Sequence, residues 1–378
     1  MRARHLGRGR ASQVRGLPSD DQAAPRGVLV SRHRHRYVSF LGLARHPPGR
    51  RSPRPRLGRP ALARLGQYAV VLVVAVSLNF ALPRLMPGSP LALIAGVEVG
   101  EMTAEERAAV TADAGLDRPL VVQYLSYWKS ILTLDFGYSF RQGTPIEELV
   151  LDRVPWTLLL TLTALVVSGV IGIALGAFAA WRRGGKWDVS SLAVMIALES
   201  TPQFWLGMLF IALFSVSLGW LPSFGATTAG ADLTGLAWLA DVAEHAVLPV
   251  LTLSILSIPA VYLSMRYSTL SVLGEDYIRT AQAKGLRPRT VMLHHVVRTA
   301  LLPVTTVLAL RLGWAFGGTV VIETVFSYPG LGRLMYDAVS ARDYPVMQAT
   351  FLVFTIAVLL ANLLADSLYP RLDPRVRV

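Results

Sequence analysis

The chain has 378 residues, 53% of them hydrophobic and only 16% charged, with a mean hydropathy of +0.46. A soluble globular chain carries about a quarter charged residues, so this composition excludes an ordinary water-soluble domain. The net charge of +13 suggests a nucleic-acid partner, but its distribution excludes one: residues 1–66 hold 16 of the 37 Arg and Lys with two acids, Asp20 and Asp21, leaving 21 basic and 22 acidic residues elsewhere.

Residues 1–65 are rich in Arg, Pro and Gly and show no apolar periodicity, so disorder is expected. The first apolar run starts too late for a signal peptide. The leader reads as a solvated cytoplasmic tail, as an over-extended gene start, or as a surface for anionic lipid headgroups. Six apolar runs follow, at about 66–86, 156–180, 190–218, 246–267, 301–323 and 346–369. Each approaches the roughly 20 residues with which a helix crosses a bilayer. The fold class expected is an all-α integral membrane protein with six spans, its body covering 66–378.

Loop charges orient the chain by the positive-inside rule. Loop 181–189, segment 268–300 and the tail "YPRLDPRVRV" are basic, whereas 219–245 holds Asp232, Asp241 and Glu244 with no Arg or Lys. Segment 87–154 has ten acids against five basic residues. Both termini are therefore expected inside and 87–154 outside, as a small helical outer lobe between the first two spans. In that lobe, Thr103 and Glu106 form a capping-box pattern, and Gly115 suits a helix end. A second helix is expected to open near Pro119 and to present Val122, Leu125, Tyr127, Trp128 and Leu132 as an apolar face.

Reactive sites are missing. No G-x-x-x-x-G-K-[ST] loop occurs, since the one Gly-Lys pair, Gly185-Lys186, is followed by Trp187. His294 and His295 are adjacent and share no helix face. No G-x-S-x-G elbow is present. Ser168, Ser215 and Ser217 lie in the spans without a His partner, and there is no cysteine. The chain is expected to catalyse nothing itself and to bind no cofactor or metal.

The segment "EDYIRTAQAKGLRPRTVMLHHVVRTALLP", Glu275 to Pro303, is too elaborate for a tether. One helix is expected over 274–284, ended by Gly285 at positive φ. Pro288 starts another, to about Arg298. Such an elbow, kept slim by Ala281, Ala283 and Gly285 and edged with basic side chains, suits docking into a partner's groove. An amphipathic helix lying on anionic lipid is the alternative.

This segment resembles the coupling loop of binding-protein-dependent ABC importer permeases, whose pattern is Glu-Ala-Ala, three residues, Gly, then an apolar-Leu-Pro tail. Arg279-Thr280-Ala281 replaces Glu-Ala-Ala, a substitution that itself resembles the dipeptide/oligopeptide/nickel branch. "FALPRLMPGSP", "AGLDRPLVVQYL", "STPQFWLG", "ETVFSYPGLGRL", "RDYPVMQA" and "DSLYPRLDPRVR" agree with that branch, in order, across 66–378. The resemblance implies the type I importer permease fold in a bacterial inner membrane, importing di- or oligopeptides, or alternatively nickel chelates, glutathione or another small solute. It implies a second homologous permease, two ATPase subunits (or one fused) that bind the ATP and Mg, and an extracytoplasmic substrate-binding protein. The implied coupling surface is Asp276, Tyr277, Arg279, Ala281, Ala283, Lys284, Gly285, Leu286, Pro288 and His295. A standalone channel or ion-coupled carrier is the rival of a different class.

Ionisable residues in spans face partners or wet cavities. Arg311 is read as lining the translocation path and attracting a peptide carboxylate, as an internal partner of Glu199, or as a contact with the sister permease. Glu323, Pro202 and Phe204 are further path candidates, with Pro202 and Gly207 loosening the third span. The turn "SYPGLG", Ser327 to Gly332, is expected either at the outer mouth or as a plain interspan turn.

Overall fold

The computed structural model describes residues 58–85, 103–113, 117–139 and 141–372. They fall in the unit Pro55–Val378, and the other unit, Met1–Arg54, lies outside them. Most of the leader and the expected helix end at Gly115 are likewise outside the described residues. The first helix, α1 (Gly58–Leu85), starts ahead of its apolar run and takes in Arg59 and Arg64 of the supposed leader.

The lobe contains α2 (Ala104–Asp113) and α3 (Leu120–Thr133). The capping box forms: the Thr103 N–H donates to Glu106 Oε2 at 2.8 Å and the Glu106 N–H to Thr103 Oγ1 at 3.2 Å. The Thr103 N–H, with the Thr103 hydroxyl donating at 2.9 Å, holds the Glu106 carboxyl below the usual carboxylate range. The expected apolar face of α3 is corrected. Tyr124 and Tyr127 lean on Phe80 of α1 and bond Ser77 and Asn79, whereas Leu125 and Leu132 are exposed. Asn79, buried, exchanges bonds of 2.8 and 3.1 Å with Gln348. A hairpin, β1 (Tyr138–Ser139) antiparallel to β2 (Thr144–Pro145), closes the lobe.

The remaining helices outrun their apolar cores, because polar ends continue a helix that hydropathy does not mark. They include α4 (Ile146–Trp181), which absorbs the last residues assigned to the lobe. The third run is broken into α5 (Lys186–Glu199) and α6 (Gln203–Phe210), the latter continuing as a π-helical stretch, Ile211–Ser217. The two pieces meet at 101°. The break sits at Ser200–Pro202, where proline disfavours helical geometry in the residue before it. Gly207 plays a different part from the loosening expected: a Cβ there would come within 3.2 Å of Val325 and Phe326.

Next come α7 (Gly235–Leu273), α8 (Asp276–Ala283), the short α9 (Pro288–Thr290), a π-helical stretch Val291–Val297, α10 (Arg298–Val325), α11 (Leu331–Ala341) and α12 (Tyr344–Leu372). Among the described residues, four helices are long and apolar enough to cross a membrane, and the bent pair makes a fifth. The first of the six expected spans corresponds to a shorter apolar stretch, Gly66–Leu82.

The core lies along the seam of α4 and α7. Small residues line the α4 side, so the backbones approach closely. A Cβ on Gly172 would stand 2.7 Å from Val261 Cβ, and one on Gly176 2.6 Å from the Tyr262 carbonyl oxygen. At the end of the seam Arg266 of α7 grips Asp188 of α5 with two bonds, 2.7 and 3.0 Å, and the Gly184 N–H adds a third at 3.0 Å.

Gly172→Leu is expected to destabilise the folded chain by about 1–3 kcal/mol or more through overpacking. Adding Val261→Ala should recover part of the loss, since the two sites share one space. Thermal unfolding in detergent, followed by size-exclusion fluorescence, measures both.

Candidate functional site

The elbow forms as its residue types dictate. In α8, Ile278 is 1% exposed and Ala281 8%, and both pack with Val272, Val291, Met292 and Val296. The helix ends in two crossed bonds, Gly285 N–H to Gln282 O at 2.9 Å and Leu286 N–H to Ala281 O at 3.4 Å. This is the Schellman arrangement, which puts the residue after the cap in left-handed geometry. Gly285 has φ +78° there, with open space where a side chain would be. Arg287 is extended and Pro288 opens the second arm.

Asp276, Tyr277, Arg279, Ala283, Lys284, Gly285, Leu286 and Pro288 are exposed, and His295 is half-buried. Arg279 makes a solvent-facing 3.4 Å pair with Asp276, and Tyr277 donates to Thr299 Oγ1 at 3.3 Å. Two expectations change. Ala281 faces the chain's own core and anchors the turn, so it does not slim the outward edge. The second arm does not stop near Arg298 but runs through the π-helical stretch into α10. The anchoring residues Ile278, Val291, Met292 and Val296 escaped the sequence reading, although the three-residue spacing of Ile278 and Ala281 marked a buried face.

Beyond the elbow, a cavity of about 500 Å³ opens between α4, α7 and α10, with Gln203 of α6 at its edge. Arg311 lines it, together with Thr161, Ser257 and Thr319. Glu199 is exposed at the end of α5 and within electrostatic reach of Arg311. No carboxylate lies within 4.0 Å of Arg311 among the described residues, so the expected internal pair with Glu199 does not form. Pro202 and Phe204 flank Gln203 but do not line the cavity, and Phe204 is half exposed.

Glu323 does not border this cavity. It is fully buried, and its Oε1 accepts the Thr157 hydroxyl at 2.8 Å while Oε2 accepts the Arg333 N–H at 3.0 Å. The Gly332 N–H and the Thr319 hydroxyl also reach it. Thr157 in turn accepts the Leu331 N–H at 2.8 Å. The carboxylate thus sits on the N-terminus of α11, where unsatisfied N–H groups favour an anion. Both glycines of the turn make room: a Cβ on Gly330 would lie 2.3 Å from the Glu323 carboxyl, and one on Gly332 2.6 Å from the Val320 backbone. The turn "SYPGLG" is packed inward, with Tyr328 and Leu331 buried. Only Ser327 borders a shallow cavity of about 730 Å³, beside Trp220 and His245.

Glu323→Ala is expected to be clearly destabilising, because each buried donor it leaves without an acceptor costs about 1–3 kcal/mol. Gly330→Ala alone should be comparably damaging. The pair should cost clearly less than the sum, because removing the carboxylate frees the space the new methyl needs. Unfolding midpoints of the four proteins complete the cycle.

Sequence comparison agrees with this architecture. Residues 172–378 match the family model described as binding-protein-dependent transport system inner membrane component, and residues 59–161 match its N-terminal companion. The chain is 41% identical over 315 residues to the glutathione transport system permease protein GsiC of Salmonella typhimurium strain LT2, covering 83% of this chain and 96% of that one. The Escherichia coli strain K12 protein of the same name is 40% identical over the same coverage. Among solved structures, an inward-facing form of the MetNI methionine ABC transporter aligns with TM-score 0.49 and 19% identity, over 60% of this chain and 96% of that one. The chain belongs to the binding-protein-dependent transport system inner membrane components, as a non-catalytic permease subunit of an ABC importer in the dipeptide/oligopeptide branch.

Proposed function

We propose that this permease passes short peptides or peptide-like solutes such as glutathione, and that its elbow takes up the stroke of an ATPase. The supporting observation is the Gly285 turn: it is exposed, open on its outer side, and fastened by Ile278 and Ala281 to the bases of α7 and α10. Such a turn fits a groove of a partner subunit, and its rim of Arg279, Lys284, Arg287 and Arg289 favours an acidic groove. Family membership supplies ATPase and substrate-binding partners in general. The finer assembly is a second, homologous permease, two ATPase subunits (or one fused) and an extracytoplasmic binding protein. Six spans, counting Gly66–Leu82 and the bent third, would place both termini and the elbow in the cytoplasm, as the loop charges require. ATP closure would then rock the helices between inward- and outward-open states.

The peptide-like cargo is supported by the 41% identity to the glutathione permease, glutathione being itself a modified tripeptide. Capturing the cognate binding protein and identifying what it carries checks the cargo directly, and a nickel chelate or sugar there would refute it. For the elbow, Gly285→Asp should leave the complex assembled in the membrane. It should lower both uptake and binding-protein-stimulated ATP hydrolysis by about tenfold, a loss near 1.4 kcal/mol. Normal stimulation in that variant would show that the turn does not couple.

A further inference from the structure

Two buried carboxylates of this fold are fully answered. Asp188 has Arg266, and Glu323 has Thr157 with the N-terminus of α11. Arg311 is half-buried on α10, borders the cavity of about 500 Å³, and has no carboxylate within 4.0 Å among the described residues. A second group in the same cavity is also unfilled. Thr161 of α4 is 2% exposed, and its hydroxyl has no hydrogen-bond partner. Leaving such a group unpaired costs about 1–3 kcal/mol. A guanidinium and a spare hydroxyl on facing helices, with Ser257 and Gln203 beside them, ask for the same thing: an anionic acceptor with more than one oxygen.

We propose that Arg311 and Thr161 form a carboxylate-binding subsite, engaged by the free carboxylate of the cargo as it crosses. This rests on the importer reading above and names the chemical class of ligand. The rest of the lining is largely apolar, including Leu165, Leu253, Leu256 and Val307, and receives the uncharged body of the ligand. The volume lies within the range of small-molecule sites. Glu199, within electrostatic reach of Arg311, opposes the arriving anion and keeps the subsite weak. A transport site must release what it binds.

Two measurements test it. In the purified permease complex without nucleotide, N-acetyl-alanyl-alanine should raise the unfolding temperature of the wild type but not of Arg311→Gln, and its C-terminal amide should raise neither. Acid and amide acting alike, or no effect of either, would overturn the subsite. In proteoliposomes with the ATPases and binding protein, ATP-driven uptake of glutathione should fall about tenfold in Arg311→Gln, equivalent to about 1.4 kcal/mol. Arg311→Lys should retain most uptake. Uptake unaffected by Arg311→Gln, or lost equally in Arg311→Lys, refutes the role. Loss of the companion permease on purifying Arg311→Gln would assign the guanidinium to subunit packing instead. Should the wild type respond to the acid yet import no glutathione, the cargo reading fails and the subsite stands.

Discussion

The bare stripe on α4 governs the rest of the molecule. Gly172 and Gly176 let the helix come against Val261 and Tyr262 of α7 at a distance that any side chain would forbid. Close backbone approach is how helices associate where lipid offers no hydrophobic contrast. Two functional features hang on that seam. The elbow begins one residue beyond the capping Gly274 of α7, and the cavity lies on the other flank of the same two helices, between Thr161 and Ser257. A shift of the seam would therefore move both at once, so it is their shared axis.

Around that axis the polar groups divide by what answers them. Asn79 and Gln348 answer each other, Asp188 is held by Arg266, and Glu323 caps α11. Such groups fix geometry: replacing one partner strands the other in a medium that solvates it poorly. Among the described residues, Arg311 has no carboxylate within 4.0 Å and the Thr161 hydroxyl has no hydrogen-bond partner. The contrast separates side chains that hold the bundle from side chains that wait for something to arrive, a distinction the sequence alone could not make for Arg311 and Glu323, both ionisable residues of the same helix.

What the sequence made legible followed from local rules. Hydropathy found the core of each long helix, the Thr103–Glu106 box formed as its spacing demanded, and Gly285 with Pro288 marked the two sides of the elbow. These outcomes depend on a few neighbouring residues. What was missed depends on contacts distant in sequence. The unpaired state of Arg311 needed the position of Glu199, Glu323 needed Thr157 more than a hundred and sixty residues away, and the outward Leu125 needed the tyrosines that turn α3 onto α1. The close packing of Gly207 was missed for the same reason: its freedom to bend was visible, but the ring of Phe326 against it was not.

The fusion of the elbow's second arm to α10 has a mechanical consequence. From Pro288 to Val325 the backbone is helical without interruption, and at about 1.5 Å per residue that is a rod of roughly 55 Å. The π-helical stretch and Pro303 lie in the half nearest the elbow, and the Gly317-Gly318 pair lies in the far half. A tilt of about 5° over the rod's length would displace the tip by about 5 Å, carrying Glu323 and the turn clamped to it, so a small angle at the elbow would be a wide sweep at the opposite end.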